Sequence, residues 1–230
     1  MSMRRSAWSL VVLKLLVMSS AVAAPAAAPA DAEAAYTKVV NKRADDVIAV
    51  LKIDDTARAG RVREILIGQY RALRDVNDAR DAKLKSIPKD DKEQADNVKA
   101  DADAALKPLH RNFLTKLGTE LTPEQVEIVK DKMTMGKVKN DYNAFLDMLP
   151  DLTDVQKAHI LAQLREAREI AMDAGSSEAK HAVFGKYRGR INNYLSKEGY
   201  DLKKASRDWA DRRKSRDAQA KQAASTQPAN

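Results

Sequence analysis

The sequence predicts an all-α protein: a helical bundle or array of about seven helices following a signal peptide. Three observations carry that prediction. From Ala32 onward, apolar residues recur at the three- and four-residue spacing of amphipathic helices. No run keeps up the strict alternation of a half-buried strand. Eight glycines and seven prolines in 230 residues suit a few helix boundaries better than many β-turns.

The elements follow in order. A first helix covers about Ala32 to Leu51, with Val40, Ala44, Val47, Ile48 and Leu51 on its buried face. Asp54 caps a long second helix from about Asp55 to Ser86, and Pro88 follows its end. The third runs from about Asp90 to Leu117, with Pro108 marking a kink or break and Gly118 a stop. Leu121-Thr122-Pro123-Glu124-Gln125 then reads as a capping box with proline at the first helical position. That helix ends near Gly136, and the next covers about Val138 to Met148. Leu152-Thr153-Asp154-Val155-Gln156 repeats the capping arrangement and opens a helix to about Ala174. After the Gly175-Ser176-Ser177 turn, another runs to about Lys197 and stops at Gly199. Asp201 caps a last helix bearing Leu202, Ala205 and Trp209.

The ends bound the compartment. Arg4 and Arg5 precede an apolar run from Ala7 to Met18, and Ala21-Val22-Ala23 fits a signal-peptidase site. Residues 1–23 are therefore read as a cleaved signal peptide, 24–34 as an Ala/Pro linker, 35–214 as the helical domain and 215–230 as a disordered polar tail. A periplasmic or secreted protein with no transmembrane anchor in its mature form is expected. Loss of Arg4, Arg5 and Lys14 lowers the formal charge from +8 by three, to +5. Basic residues are enriched near the C-terminus, at Lys203, Lys204, Arg207, Arg212, Arg213, Lys214, Arg216 and Lys221. Secretion argues against nucleic acid and leaves an acidic glycan or an anionic surface as their partner. The chain has no cysteine, which excludes a disulfide framework, thiolate ligands, a cysteine nucleophile and a lipoprotein anchor.

No catalytic motif stands out. His110, His159 and His181 have no metal-ligand spacing, and phosphate-binding glycine loops, dinucleotide fingerprints and G-x-S-x-G are absent. No cofactor or metal is expected, and the reading leans away from an enzyme. Carboxylates such as Asp75 and Asp78 fit i,i+4 pairs with Arg71 and Arg74 on a solvated face.

The richest stretch is Ala171 to Asp201. Val183, Phe184, Tyr187, Ile191, Tyr194 and Leu195 share one helical face, while Lys186, Arg190, Asn193 and Lys197 line the other. Between them runs a lane of Gly185, Gly189 and Asn192, flanked by His181 and Arg188. Each interior glycine costs a helix roughly 0.5–1 kcal/mol, so the lane implies a close approach to the backbone. Tight packing against a second helix is the favoured cause, and a similar lane, Gly68-Ala72-Ala79, on the second helix is one that could face it. The other branch of this fork is a ligand site built from His181, Lys186, Arg190, Asn192 and Asn193, with Tyr142 or Tyr200 as a stacking platform.

The segments QYRALRDVNDARDAKLK, MTMGKVKNDYNAFLDMLPDLT and AREIAMDAGSSEAKHAVFGKYRGRINNYLSKEGYDLKKA resemble a family of secreted bacterial proteins of unknown function. That family is catalogued by inference as sugar-binding, and the resemblance spans about Tyr36 to Arg213. It implies a non-enzymatic accessory protein that binds an oligosaccharide or acidic glycan during polysaccharide utilisation. The paired Leu-Thr-x-x-Gln motifs resemble, more locally, periplasmic helical chaperones of the Spy/CpxP type, which implies an envelope-stress role as the alternative. A polysaccharide-acting enzyme without a recognisable motif is the third reading.

Overall fold

A computed structural model describes residues 29–226. The predicted signal peptide, the first part of the linker and residues 227–230 lie outside the described residues. Eight helices and no strand make up the rest: α1 (Pro29–Leu51), α2 (Thr56–Ser86), α3 (Lys92–Glu120), α4 (Pro123–Met133), α5 (Lys137–Met148), α6 (Asp154–Met172), α7 (Ser177–Lys197) and α8 (Leu202–Thr226). The fold class is thus as predicted. Among the described residues, those from Lys38 onward form one compact unit, and those from Pro29 to Thr37 belong to a separate one.

Most boundaries are set locally. Asp55, Asp91 and Ser176 each accept a backbone N–H three residues on, relieving an orphan donor of the first turn. Thr122 and Thr153 both form complete capping boxes with Gln125 and Gln156. The same two glutamines also reach across the fold. Gln125 Nε2 donates to the Leu51 carbonyl at the end of α1, at 3.2 Å. Gln156 Nε2 donates to Glu198 at the end of α7, at 3.3 Å. With Leu121 and Leu152 both buried, each motif starts one helix and ties down the end of another. At Gly199 (φ +94°), the Tyr200 N–H bonds back to the Leu195 carbonyl and closes α7 in a Schellman motif.

Three elements differ from expectation. Helix α1 starts at Pro29, inside the stretch read as linker, because proline suits a first helical turn and the alanines after it favour helix. Helix α3 runs unbroken through Pro108 and past Gly118 to Glu120. Leu106, Phe113 and Leu117 bury one face on both sides of the proline, so tertiary packing outweighs the roughly 3 kcal/mol of a lost bond and ring clash. Helix α8 continues past Ser215 to Thr226, where a disordered tail was predicted. Arg216 holds that extension by a two-pronged ion pair with Asp147, at 2.6 and 3.0 Å.

The helices pack as pairs, α2 with α3 and α6 with α7. Helix α4 bridges α3 and α6, α5 lies on α6, and α8 lies on α5 and α7. One end of the core is built from Val40, Val47, Val62, Leu66, Phe113, Leu117 and Val129. The other is built from Phe145, Ile160, Leu164, Ala167, Phe184, Ile191 and Leu195.

Candidate functional site

Helix α7 places its predicted site residues as the 3.6-residue period requires. Phe184, Tyr187, Ile191 and Leu195 are buried, and His181, Lys186, Arg190, Asn192 and Asn193 are exposed on the outer side. The glycines between them do not serve helix packing. A Cβ at Gly189 would meet nothing within 4 Å, and one at Gly185 would meet only the Arg188 guanidinium at 3.8 Å. The expected close contact between this lane and the Gly68-Ala72-Ala79 lane is therefore not formed: a Cβ at Gly68 also meets nothing within 4 Å.

Several of the nominated side chains already have work. The Arg190 guanidinium lies 4.4 Å over the Tyr187 ring and 3.9 Å from Glu166, while the Tyr187 hydroxyl donates to Glu166 at 2.6 Å. His181 Nδ1 sits 2.8 Å from the Ser177 carbonyl in the same helix. Tyr142 packs against the C-terminal core cluster. The Tyr200 hydroxyl donates to Gln156 Oε1 at 2.9 Å, with the Asp151 carbonyl at 3.2 Å, and so bolts the α7–α8 turn to the start of α6. The two tyrosines are thus partly engaged within the fold, and Lys186, Asn192 and Asn193 form an exposed polar strip.

A concave site lies elsewhere among the described residues, between α2 and α3. Ala57, Gly60, Ile65, Gly68 and Ala72 of α2 face Leu109, Asn112, Phe113 and Lys116 of α3 across an open groove of about 840 Å³. Small side chains keep the groove wide, since Cβ atoms at Gly60 and Gly68 would enter empty space. Its rim is charged. Arg61 Nε and Nη2 grip the two oxygens of Glu120 at 2.8 and 2.9 Å, with Glu64 and Lys116 also lining the groove. Gln69 lines it too. This residue is only 7 % exposed, and its Nε2 is buried with no hydrogen-bond partner. A buried unpaired amide N–H costs of the order of 1–3 kcal/mol.

A third polar region ties the helices together. His110 of α3 lies 2.9 Å from Asp173 and 3.5 Å from Glu169. Lys130 of α4 also reaches Glu169, at 3.0 Å. Arg168, almost wholly buried, pairs with Asp131 at 2.7 Å and with Glu127 and Glu169. The two carboxylates hold the His110 imidazolium, raising its pKa from 6.5 to about 9. Burial works against the Glu169 carboxylate, but His110 and Lys130 outweigh it and bring its pKa down to about 2. Burial also depresses Lys180, to about 8, even though its ammonium donates to the Met133 carbonyl at 2.8 Å. These groups compensate one another across α3, α4, α6 and α7, as a structural junction does. Sequence spacing alone does not reveal them, because His110 and its carboxylates are far apart in the chain.

Among the described residues, no group of three or more His, Asp or Glu side chains is arranged to hold a metal ion. Nor is any described helix long and apolar enough to cross a membrane. A family model described as "Protein of unknown function (DUF3826)" matches residues 37–215, and the chain belongs to that family. No curated protein matches the chain.

Proposed function

We propose that this member of the family is a secreted, non-enzymatic accessory protein that binds carbohydrate, with the α2–α3 groove as its binding site. One observation carries the reading: a wide groove with an apolar floor has a buried, unpaired Gln69 amide in its wall. Ligand sites combine apolar lining with a few convergent polar groups, and this groove has that composition. Ile65, Leu109 and Phe113 supply the apolar part. Gln69 and Asn112 supply amides for sugar hydroxyls, and Lys116 supplies a cation for a uronate carboxylate. Ground for the chaperone alternative is thinner. The exposed large apolar residues Val39, Ile128, Met135, Val155 and Ile170 are spread over α1, α4, the α4–α5 turn and the two ends of α6. Single apolar side chains of that kind are ordinary surface.

Calorimetric titration against neutral and uronate oligosaccharides tests the proposal. Gln69→Leu with Asn112→Ala should weaken binding about tenfold or more, at about 0.5–1.5 kcal/mol for each hydrogen bond removed. Arg190→Ala with Asn193→Ala on α7 should leave it unchanged. Binding lost through the α7 pair and kept in the groove pair would move the site to α7, and no binding to any oligosaccharide would remove the reading.

A further inference from the structure

The charge of this protein is segregated. Leu202–Thr226 carries eight lysines and arginines against Asp208, Asp211 and Asp217, a formal +5. Residues 24–201 hold equal numbers of acidic and basic side chains. All the excess positive charge beyond the predicted signal peptide therefore sits on one helix, α8.

That helix has two unlike sides. Leu202 and Ala205 pack on the C-terminal core cluster. Trp209 Nε1 donates to Asp147 at 2.7 Å, Arg216 grips the same carboxylate, and Arg212 donates to the Asp147 carbonyl at 2.8 Å. At about 100° per residue these anchors share one side, and Lys203, Arg207 and Lys214 fall on the opposite one. All three are exposed. They stand about 6 Å and then about 10 Å apart along the axis, at 1.5 Å per residue. Asp211 and Asp217 lie to either side of this row and not within it.

We propose that the outward row of α8 is a docking strip for a linear acidic polysaccharide, with Lys203, Arg207 and Lys214 as its contacts. Charge complementarity selects a polyanion, and rigid anchoring of the other side spares the helix an ordering cost when it binds. Membrane insertion needs a free apolar face, whereas here the apolar side is docked on the protein. Single-stranded nucleic acid is held by aromatic stacking as well as charge, and the row carries no aromatic residue; duplex DNA, which binds through charge alone, is separated by the test. Carboxylates spaced along a sugar chain need only ammonium and guanidinium partners. The strip does not depend on the α2–α3 groove, and a variant that blocks that groove leaves it intact.

The test uses polygalacturonate, anionic phosphatidylserine vesicles and duplex DNA as probes, each titrated at low and moderate salt. Polygalacturonate should bind tightest, with an affinity that falls as salt rises. Lys203→Gln/Arg207→Gln/Lys214→Gln should weaken that affinity at least tenfold and flatten the salt dependence. Lys83→Gln/Lys85→Gln/Lys107→Gln removes the same charge from other exposed helical positions and should have little effect. Equal losses in the two triple variants, tighter binding to vesicles or DNA, or no binding to polygalacturonate would each overturn the proposal. Unchanged helicity by circular dichroism keeps a folding failure from being read as lost binding.

Discussion

Helices α2 and α7 carry the same device, a stripe that includes two glycines, on surfaces of different character. On α2 the stripe runs beside α3, so the space left by Gly60, Gly68, Ala57 and Ala72 becomes a groove with walls. On α7 the side chains of Phe184, Tyr187 and Ile191 turn inward, and Gly189 faces out with no atom near its Cβ position. Missing side chains create a site only where a second element stands close enough to enclose the space. Local spacing records the stripe but not the neighbour.

A third glycine sharpens the contrast and carries the largest expected effect. A Cβ at Gly175 would lie 2.8 Å from Asn77 Cβ and 2.9 Å from its Cγ. Asn77 is buried and cannot retreat, because its amide donates to the Leu73 and Asp173 carbonyls at 2.8 and 3.1 Å. Gly175→Ala should therefore cost about 3 kcal/mol, from overpacking and strained hydrogen bonds together. Urea denaturation measures it, and a loss under 0.5 kcal/mol would show that this turn is as open as the two stripes.

The junction around His110 comes next, since it holds α3, the wall of the groove, to the end of α6, which leads into α7. Its folded pKa is raised, so its stabilisation is complete below pH 6.5 and is lost as pH rises through about 9. That stabilisation is about 3 kcal/mol at one pKa unit per 1.36 kcal/mol. Lys180 has the opposite sign. Its depressed pKa penalises the folded state below pH 8, and the penalty fades as pH climbs toward 10.5. The difference in unfolding free energy between the parent and His110→Gln isolates the histidine. It should stay level below pH 6.5 and shrink through pH 9, and a difference independent of pH would remove the ion pairs from the account.

The smallest effects test the two stripes directly. Gly68→Ala and Gly189→Ala should each stabilise the protein by about 0.5–1 kcal/mol, because both sites are helical and open. Thermal unfolding reads the gain. Destabilisation at either position would mean that something does pack against it.

Much of the fold is legible in the sequence because the signals are local. Thr122 and Thr153 cap the helices they were expected to cap, and Gly199 ends α7 in the conformation that glycine favours. Pro108 and Gly118 read as a break because their cost is local, while the packing of Leu106, Phe113 and Leu117 that overrides it is not. The site was less legible for the same reason. Gln69 is one polar residue between apolar ones until α3 is set beside it. His110 reads as a surface histidine until Asp173 arrives, and Tyr200 reads as a platform until Gln156 claims its hydroxyl.

One measurement bears on the groove most directly: calorimetric titration of the best-binding oligosaccharide into two matched variants, Gly68→Phe and Gly189→Phe. Phenylalanine is a better helix former than glycine, and a Cβ fits at either position, so both variants should remain folded. Gly68→Phe should fill the groove and abolish binding, while Gly189→Phe should bind as the parent does. The opposite pattern, or full affinity with the groove filled, would contradict the account.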